Sequence, residues 1–393
     1  MIVGMAAHSA APPRSTRAQA WVLGAIDLVR ALKLAAIPIV VVAGPDSPAR
    51  YSRSAIAALE PAASDPEATV ESLLGFASWQ REQPVLYYDN DWDLLLVSRH
   101  RRRLAQGFRF VVASTQLVED LVDKSRFQVL AERLGLPVPR AVRCSSRELG
   151  DDCGLRYPLV VKPLSRHGGG WTYVVQAKAA YVADRLQLAR LGERLAGAEV
   201  DLLVQEAVPG PEDRIESYHV YIDDGGRIAG EFTGRKLRTY PPAYGFSTAI
   251  TITDNADVRE LGRRVVLTLE LRGVAKVDFK RGPDGTLNLL EVNPRFNLWH
   301  YPGACAGVNL PALVYARLLG HSTPRQPAAR GGVTWCSPHD LRAARAQGVG
   351  LLSWLRWAAA CDAMSGFAWD DPFPIPRAAL SRVRRRVRES AAA

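Results

Sequence analysis

The sequence predicts a chain of mixed α/β and α+β class, with a parallel-sheet domain preceding a mainly antiparallel one. Three observations carry this. Strand and helix patterns alternate near the N-terminus, a glycine-rich segment interrupts strand signals in the middle, and a carboxylate-bearing hairpin closes the second half.

The first domain is read from Ala20 onward. AWVLG, AIDLVRALKLAA and IPIVVVAG alternate as strand, helix and strand, the start of a β-α-β unit. PVLYYDND adds a strand, DLLLVSRHRRRLAQ a helix and FRFVVAS a further strand. Alternation of this kind implies an open parallel sheet, assigned here to residues 1–117.

A linker helix and a central domain follow, over residues 118–205. Asp123 is the expected N-cap of a helix containing SRFQVLAERL, and Gly135 lies just past its end. YPLVVKPLSRHGGGWTYVVQ reads as strand, glycine-rich loop and second strand. AAYVADRLQLARLGERLAG reads as an amphipathic helix leading into the strand EVDLLVQEAV. From 206 to 322 strands predominate, with turns at DDGG and GPDG, a helix starting near Asp257 and another opened by Leu310-Pro311. Residues 323–393 form an accessory tail.

Composition bounds the function. With 393 residues, 48% of them hydrophobic, the chain can bury the cores of two or three domains. Its five cysteines show no CxxC spacing, which supports neither a zinc site nor a disulfide framework. No stretch reaches the roughly 18 apolar residues needed to span a bilayer, and the N-terminus lacks a secretory pattern, so a cytoplasmic location is expected. The formal charge of +10 is concentrated in Arg99–Arg103 and Arg382–Arg388. Such runs suit nucleic acid or an anionic membrane, but without a recognition motif they are read as solvated helix faces, and no nucleic-acid partner is expected.

The sharpest constellation is VAKVDFK, RGPDG, TLNLLEVNPRF. With Gly282–Gly285 as the hairpin loop, Arg281 faces Thr286 and Asp278 faces Leu289. Alternation then places Leu289, Glu291 and Asn293 on the face carrying Asp278. Two carboxylates and an amide oxygen on one face suit Mg²⁺, which favours oxygen donors and retains waters and phosphate oxygens. In this register Lys276 opposes Glu291, so a plain ion pair is the alternative, and a one-residue slip would disperse the set.

These motifs, with DKSRFQVLAERLGLPVP, YPLVVKP, LLVQEAVPG and FTGRKLRTYPP, resemble the ATP-grasp superfamily over roughly residues 20–320. Within it the similarity runs toward carboxylate-amine ligases such as D-aspartate ligase. The ExNPR element with an acidic residue 13 positions earlier is the specific part. The resemblance implies a three-domain ATP-grasp fold with ATP between the central and C-terminal domains. It implies Lys124 and Lys162 as phosphate contacts and a loop containing Gly168, Gly169 and Gly170 over the triphosphate. It also implies Gln205, Glu206, Ala207 and Val208 as the adenine-pocket lining, and Asp213, with Glu212 beside it, as the ribose acceptor. Asp278, Glu291 and Asn293 become ligands of two Mg²⁺ ions, with Mn²⁺ as an alternative. Arg295, Lys236 and Arg238 become the groups at the reacting phosphoryl and acyl centre, Lys236 and Arg238 sharing one strand face by alternation, with Arg235 beside them.

The function expected is ligation of a small-molecule acid to a small-molecule amine through an acyl phosphate, releasing ADP and phosphate. The cationic set suggests an acid with a second carboxylate, such as aspartate. Homo-oligomerisation stays open. Two alternatives remain: a bicarbonate-activating carboxylase, and a non-catalytic nucleotide-binding protein.

Overall fold

The computed structural model describes residues 17–61, 65–149, 154–164, 169–175, 177–322 and 326–392. The first sheet contains β1 (Ala20–Leu23), β2 (Ile39–Val42), β3 (Ala55–Leu59) and β4 (Val85–Tyr88). Its order is β3-β2-β1-β4, with every pairing parallel. All residues of β1, β2 and β4 are buried, which is why they read as unbroken apolar runs rather than alternating ones. Helices α1 (Ile26–Leu34), α2 (Pro66–Ala77), α3 (Asp91–Arg99) and α4 (Arg101–Leu104) accompany them.

FRFVVAS does not form the strand expected of it. It makes one isolated parallel bridge, Val85 to Arg109. Beyond the bridge, Phe108, Val111 and Ala113 turn their apolar side chains into buried clusters, and Arg109 Nη1 donates to the Leu318 carbonyl at 2.7 Å. Core filling and the departure toward the later domain displace a fifth pairing.

Helices α5 (Thr115–Val122) and α6 (Lys124–Arg133) follow. Asp123 caps α6 by accepting from the Arg126 N–H at 2.9 Å, and Gly135 beyond its end has φ +65. Leu121, Phe127, Leu130 and Ala131 bury against the C-terminal sheet, so α6 belongs with that domain's core.

The central sheet holds β5 (Ala141–Ser145), β6 (Leu159–Pro163), β7 (Ala180–Val182) and β8 (Asp201–Glu206). Its order is β5-β8-β6-β7, all antiparallel. Helices α7 (Gly169–Val175) and α8 (Arg185–Leu195) cover it. Here the sequence reading shifts. Of WTYVVQ, expected as the second strand, Trp171–Val175 lies in α7, where Trp171 enters the domain core and donates its indole N–H to the Ala177 carbonyl at 2.6 Å, and Gln176 lies outside the described residues. The strand paired with β6 is instead AYV, taken from the start of the segment expected as helix. Tertiary packing has overridden the β-propensity of Tyr173, Val174 and Val175.

The C-terminal sheet comprises β9 (Ile215–Ile222), β10 (Ile228–Tyr240), β11 (Phe246–Thr253), β12 (Gly273–Arg281) and β13 (Leu287–Asn293), with α9 (Ala256–Thr268), α10 (His300–Cys305) and α11 (Leu310–Leu318). The tail adds β14 (Thr334–Cys336), α12 (Asp340–Ala346), α13 (Leu351–Ala359), β15 (Ala363–Met364) and α14 (Pro374–Ala392). The sheet order is β13-β12-β9-β10-β11-β14-β15, so the tail extends this sheet rather than forming a separate appendage. One cluster joins β1, β2 and β4 to β9–β11, the segment from Phe296 to Trp299, and Trp335 of β14. Among the described residues no helix is long and apolar enough to cross a membrane.

Candidate active site

The hairpin between β12 and β13 holds the predicted donors, in a register different from the one expected. The loop includes Thr286, whose N–H and hydroxyl bond Asp284, so Arg281 pairs with Leu287 rather than Thr286. That extra residue alone would set Asp278 opposite Leu290. Phe279 pairs with Leu289 and Asp278 with Glu291, leaving Leu290 without a partner as a bulge. The bulge restores the facing of Glu291 and Asn293 while sending Leu289 to the core face beside Phe279 and Val292. Leu289 therefore does not share the donor face.

Asp278 is almost wholly buried, and its neighbours on both flanking strands are polar. It pairs with Ser217 of β9, whose hydroxyl donates to it, and Lys276 approaches it at 2.5 Å. Burial by itself raises the carboxyl pKa. The ammonium groups of Lys276 and Lys236, with the two hydrogen bonds, outweigh that and hold it at about 2. Glu291 is exposed and accepts from Asn293 Nδ2 at 3.0 Å. The alternative ion pair of the sequence reading is not formed: Lys276 opposes Asn293 and bonds Asp278 instead.

Lys236 and Lys162 complete the centre from two other strands. The field of Asp278 acts on Lys236, and the fields of Glu291 and Glu212 act on both lysines, which groups these side chains across the gap between the two sheets. For each lysine burial is the largest influence and lowers the pKa. Lys162 donates to Gln205 Oε1 at 3.0 Å, and Gln205 in turn donates to Gln128 at 3.1 Å. Lys124 Nζ donates to the Pro163 carbonyl at 2.7 Å, one residue from Lys162.

Gly234 explains the glycine in FTGRKLR. A Cβ there would lie 2.5 Å from the Trp299 ring and 2.9 Å from the Thr251 carbonyl, so the strand approaches Trp299 only without a side chain. Around this contact His219 stacks on Phe232 with centroids 4.5 Å apart, and burial holds its pKa well below the ordinary histidine range.

Several expected contacts are placed elsewhere. A register shift separates Lys236 from Arg238, so simple alternation does not carry both to one place. Arg238 makes a bidentate pair with Asp340 at 2.9 and 2.6 Å and stacks on Trp357 at 4.0 Å. Asp340 also accepts from Thr248 and Trp354, so Arg238 is committed to the tail. Arg295 bonds Asp91 Oδ1 and the Asp89 carbonyl, each at 2.6 Å, with Asn293 Oδ1 at 3.5 Å. It ties the first domain to the donor strand. Arg235 is exposed.

The segment Gln205, Glu206, Ala207 and Val208 ends β8 and leaves the central sheet. Glu206 is held by Arg156, and the Glu206 and Ala207 N–H groups bond the Arg140 and Pro158 carbonyls. Asp213 sits exposed in a short 3₁₀ turn, whereas Glu212 pairs with Lys280 at 3.3 Å and faces the lysine cluster. Gly169 and Gly170 open α7, and Gly168 lies outside the described residues.

Sequence reasoning passed over Ser217 and Lys280 and put Asp213 before Glu212. Lys280 was within reach, standing two residues from Asp278 on one strand. Ser217 required knowing that β9, not β10, lies beside β12.

The donor set fits a hard divalent cation on its chemistry. An ionised buried carboxylate and an exposed one face each other across two strands, with an amide oxygen beside them. Among the described residues no group of three or more His, Cys, Asp or Glu forms a separate metal cluster.

This arrangement of parallel-sheet domain, central antiparallel sheet and larger antiparallel sheet is the ATP-grasp fold. The sequence family described as ATP-grasp in the biosynthetic pathway with Ter operon matches residues 198–337. The chain is similar to D-aspartate ligase of Enterococcus faecium, with 22% identity over 285 residues, 68% of this chain and 67% of that relative. It is similar to the carbamoyl phosphate synthase large chain of Pseudomonas syringae pv. tomato, with 25% identity over 56% of this chain and only 21% of that protein. Its fold resembles N5-carboxyaminoimidazole synthetase from Staphylococcus aureus complexed with ADP, with a TM-score of 0.61 and 14% identity, covering 82% of each chain.

Proposed function

We propose that this chain is an ATP-dependent carboxylate-amine ligase working through an acyl phosphate. The observation that carries the reading is the bulge at Leu290, which sets Glu291 opposite Asp278 and leaves Asn293 on the same face, in the field of Lys162 and Lys236. The two relatives and the ADP complex of a fold neighbour support it.

Asp278, Glu291 and Asn293 would hold Mg²⁺, which when bound neutralises phosphate charge. Lys162 on β6 and Lys236 on β10 of the opposing sheet would bind the triphosphate. Glu212 takes the ribose-acceptor role assigned by resemblance to Asp213. A carboxylate oxygen of the acid attacks the γ-phosphorus, and the bond to the β–γ bridging oxygen breaks to give ADP. The amine nitrogen then attacks the acyl carbon, phosphate departs, and the amine proton passes to solvent. Positioning and electrostatic stabilisation supply the catalysis.

The acid is proposed only as a carboxylic acid. Of the cations offered to a second carboxylate, Arg238 is engaged by Asp340 and Arg295 by Asp91. The test is incubation with ATP, Mg²⁺, hydroxylamine and a panel of acids. A hydroxamate derived from one acid supports the reading. ADP release stimulated by bicarbonate alone, with no hydroxamate, would move the chain to the carboxylating reading that its similarity to carbamoyl phosphate synthase favours.

A further inference from the structure

Helix α14 turns an apolar stripe outward. Ala378 is fully buried against the first domain, and Arg385, two turns on and along the same side, pairs with Asp46. Those contacts fix the inward side of the helix. At about 100° per residue, Leu380, Val383 and Val387 fall on the side opposite Ala378. Val383 and Val387 are 59% and 63% exposed. Folding of the chain therefore does not use this stripe.

Arginines border it. Arg377 and Arg384 lie along one margin and Arg386 along the other, with Arg382 nearer the packed side, and all four are exposed. No acidic residue occurs from Pro374 to Val387. Just before the helix, Trp369 is 92% exposed and Phe373 49% exposed. An apolar stripe between cationic margins, with an aromatic at one end, is the pattern of a helix lying in the plane of a lipid–water interface.

We propose that α14 docks this chain on an anionic membrane surface, with Leu380, Val383 and Val387 entering the acyl boundary and the bordering arginines meeting lipid phosphates. Two competing occupants fit less well. A nucleic acid would meet the arginines but leaves the apolar stripe without a role. A second copy packed stripe to stripe would bring two sets of arginines together without an acidic residue to separate them. The mode is peripheral, since no helix among the described residues is suited to crossing a bilayer.

The full chain is tested by co-sedimentation with vesicles of phosphatidylcholine containing about one third phosphatidylglycerol, against phosphatidylcholine alone. Binding to the anionic vesicles only is expected. Both the Leu380→Ser, Val383→Ser, Val387→Ser variant and the Arg382→Gln, Arg384→Gln, Arg386→Gln variant should bind on the order of tenfold or more weakly. These side chains are exposed, so unchanged circular dichroism and thermal midpoint accompany the loss. No vesicle binding by the wild type overturns the proposal, whether or not the chain binds a DNA duplex or an RNA oligomer. So does a dimer in sedimentation velocity that the serine variant dissolves, with vesicle binding unchanged.

Discussion

Glu291 stands opposite Asp278 because Leu290, between Glu291 and Leu289, pairs with nothing. One unpaired residue thus decides which side chains of β13 face the lid and which face the core.

Removing the bulge alone should leave the donors in place. Deleting Leu290 gives an unbroken ladder in which Leu289 still pairs with Phe279 and Glu291 with Asp278. Mn²⁺ binding followed by electron paramagnetic resonance should persist while far-ultraviolet circular dichroism keeps its form. Loss of binding would show that the unpaired residue itself shapes the site.

Glu291→Ala should abolish ATP turnover without unfolding the protein, because Glu291 is exposed and its loss leaves no buried group unpaired. A loss in kcat/KM on the order of 10³, about 4 kcal/mol, is expected. Chemical denaturation, run beside the kinetics, should give an unchanged midpoint.

The nucleotide product should be ADP, with phosphate released as the amide forms. Chromatography of a turnover mixture checks this, and AMP with pyrophosphate would place the attack at the α-phosphorus instead.

Arg238→Ala should cost stability far more than catalysis. Its guanidinium neutralises Asp340, which is fully buried, so truncation strands a carboxylate and should cost about 3–5 kcal/mol. Urea denaturation should show the loss, while KM values for ATP and acid in the folded fraction stay within about twofold. A selective rise in KM for the acid would return Arg238 to the reacting centre.

Asp93 gives a pH signature. Burial, with a smaller contribution from the Asp89 charge, pushes its carboxyl up to about 7 against the opposing Asn90 hydrogen bond. The folded chain therefore binds this proton more tightly than the unfolded chain, whose value is about 3.9, and its stability falls as pH rises from about 4 to 7. Asp93→Asn should flatten that part of the stability–pH curve, measured by thermal unfolding across the range.

The sequence made the parallel domain legible because its buried strands are short unbroken apolar runs, and α6 because Asp123 and Gly135 mark its ends. It misled where tertiary contacts govern. WTYVVQ has strand propensity but supplies Trp171 to a core, and FRFVVAS fills clusters and pairs only at the single bridge of Arg109. In the hairpin two one-residue errors, Thr286 in the loop and Leu290 in the bulge, cancel at Glu291 and Asn293 and persist at Leu289. Arg238 was unreadable because its partner Asp340 lies 102 positions away.

The tail also fixes how the molecule can move. Ser365 bonds Asp27 of α1, Asp371 accepts from the Ser52 hydroxyl and the Arg53 N–H, and Trp335 sits in the cluster shared by first and last domains. These ties cross more than 300 positions of chain and clamp the first and C-terminal sheets into a single frame. The lid has a core of its own, drawn wholly from residues between Leu149 and Val204 with partly buried Val142 and Cys144 at its edge. If the chain takes up nucleotide as proposed, opening is a hinge with one moving leaf, and the chain enters and leaves that leaf near Arg140 and Ala207.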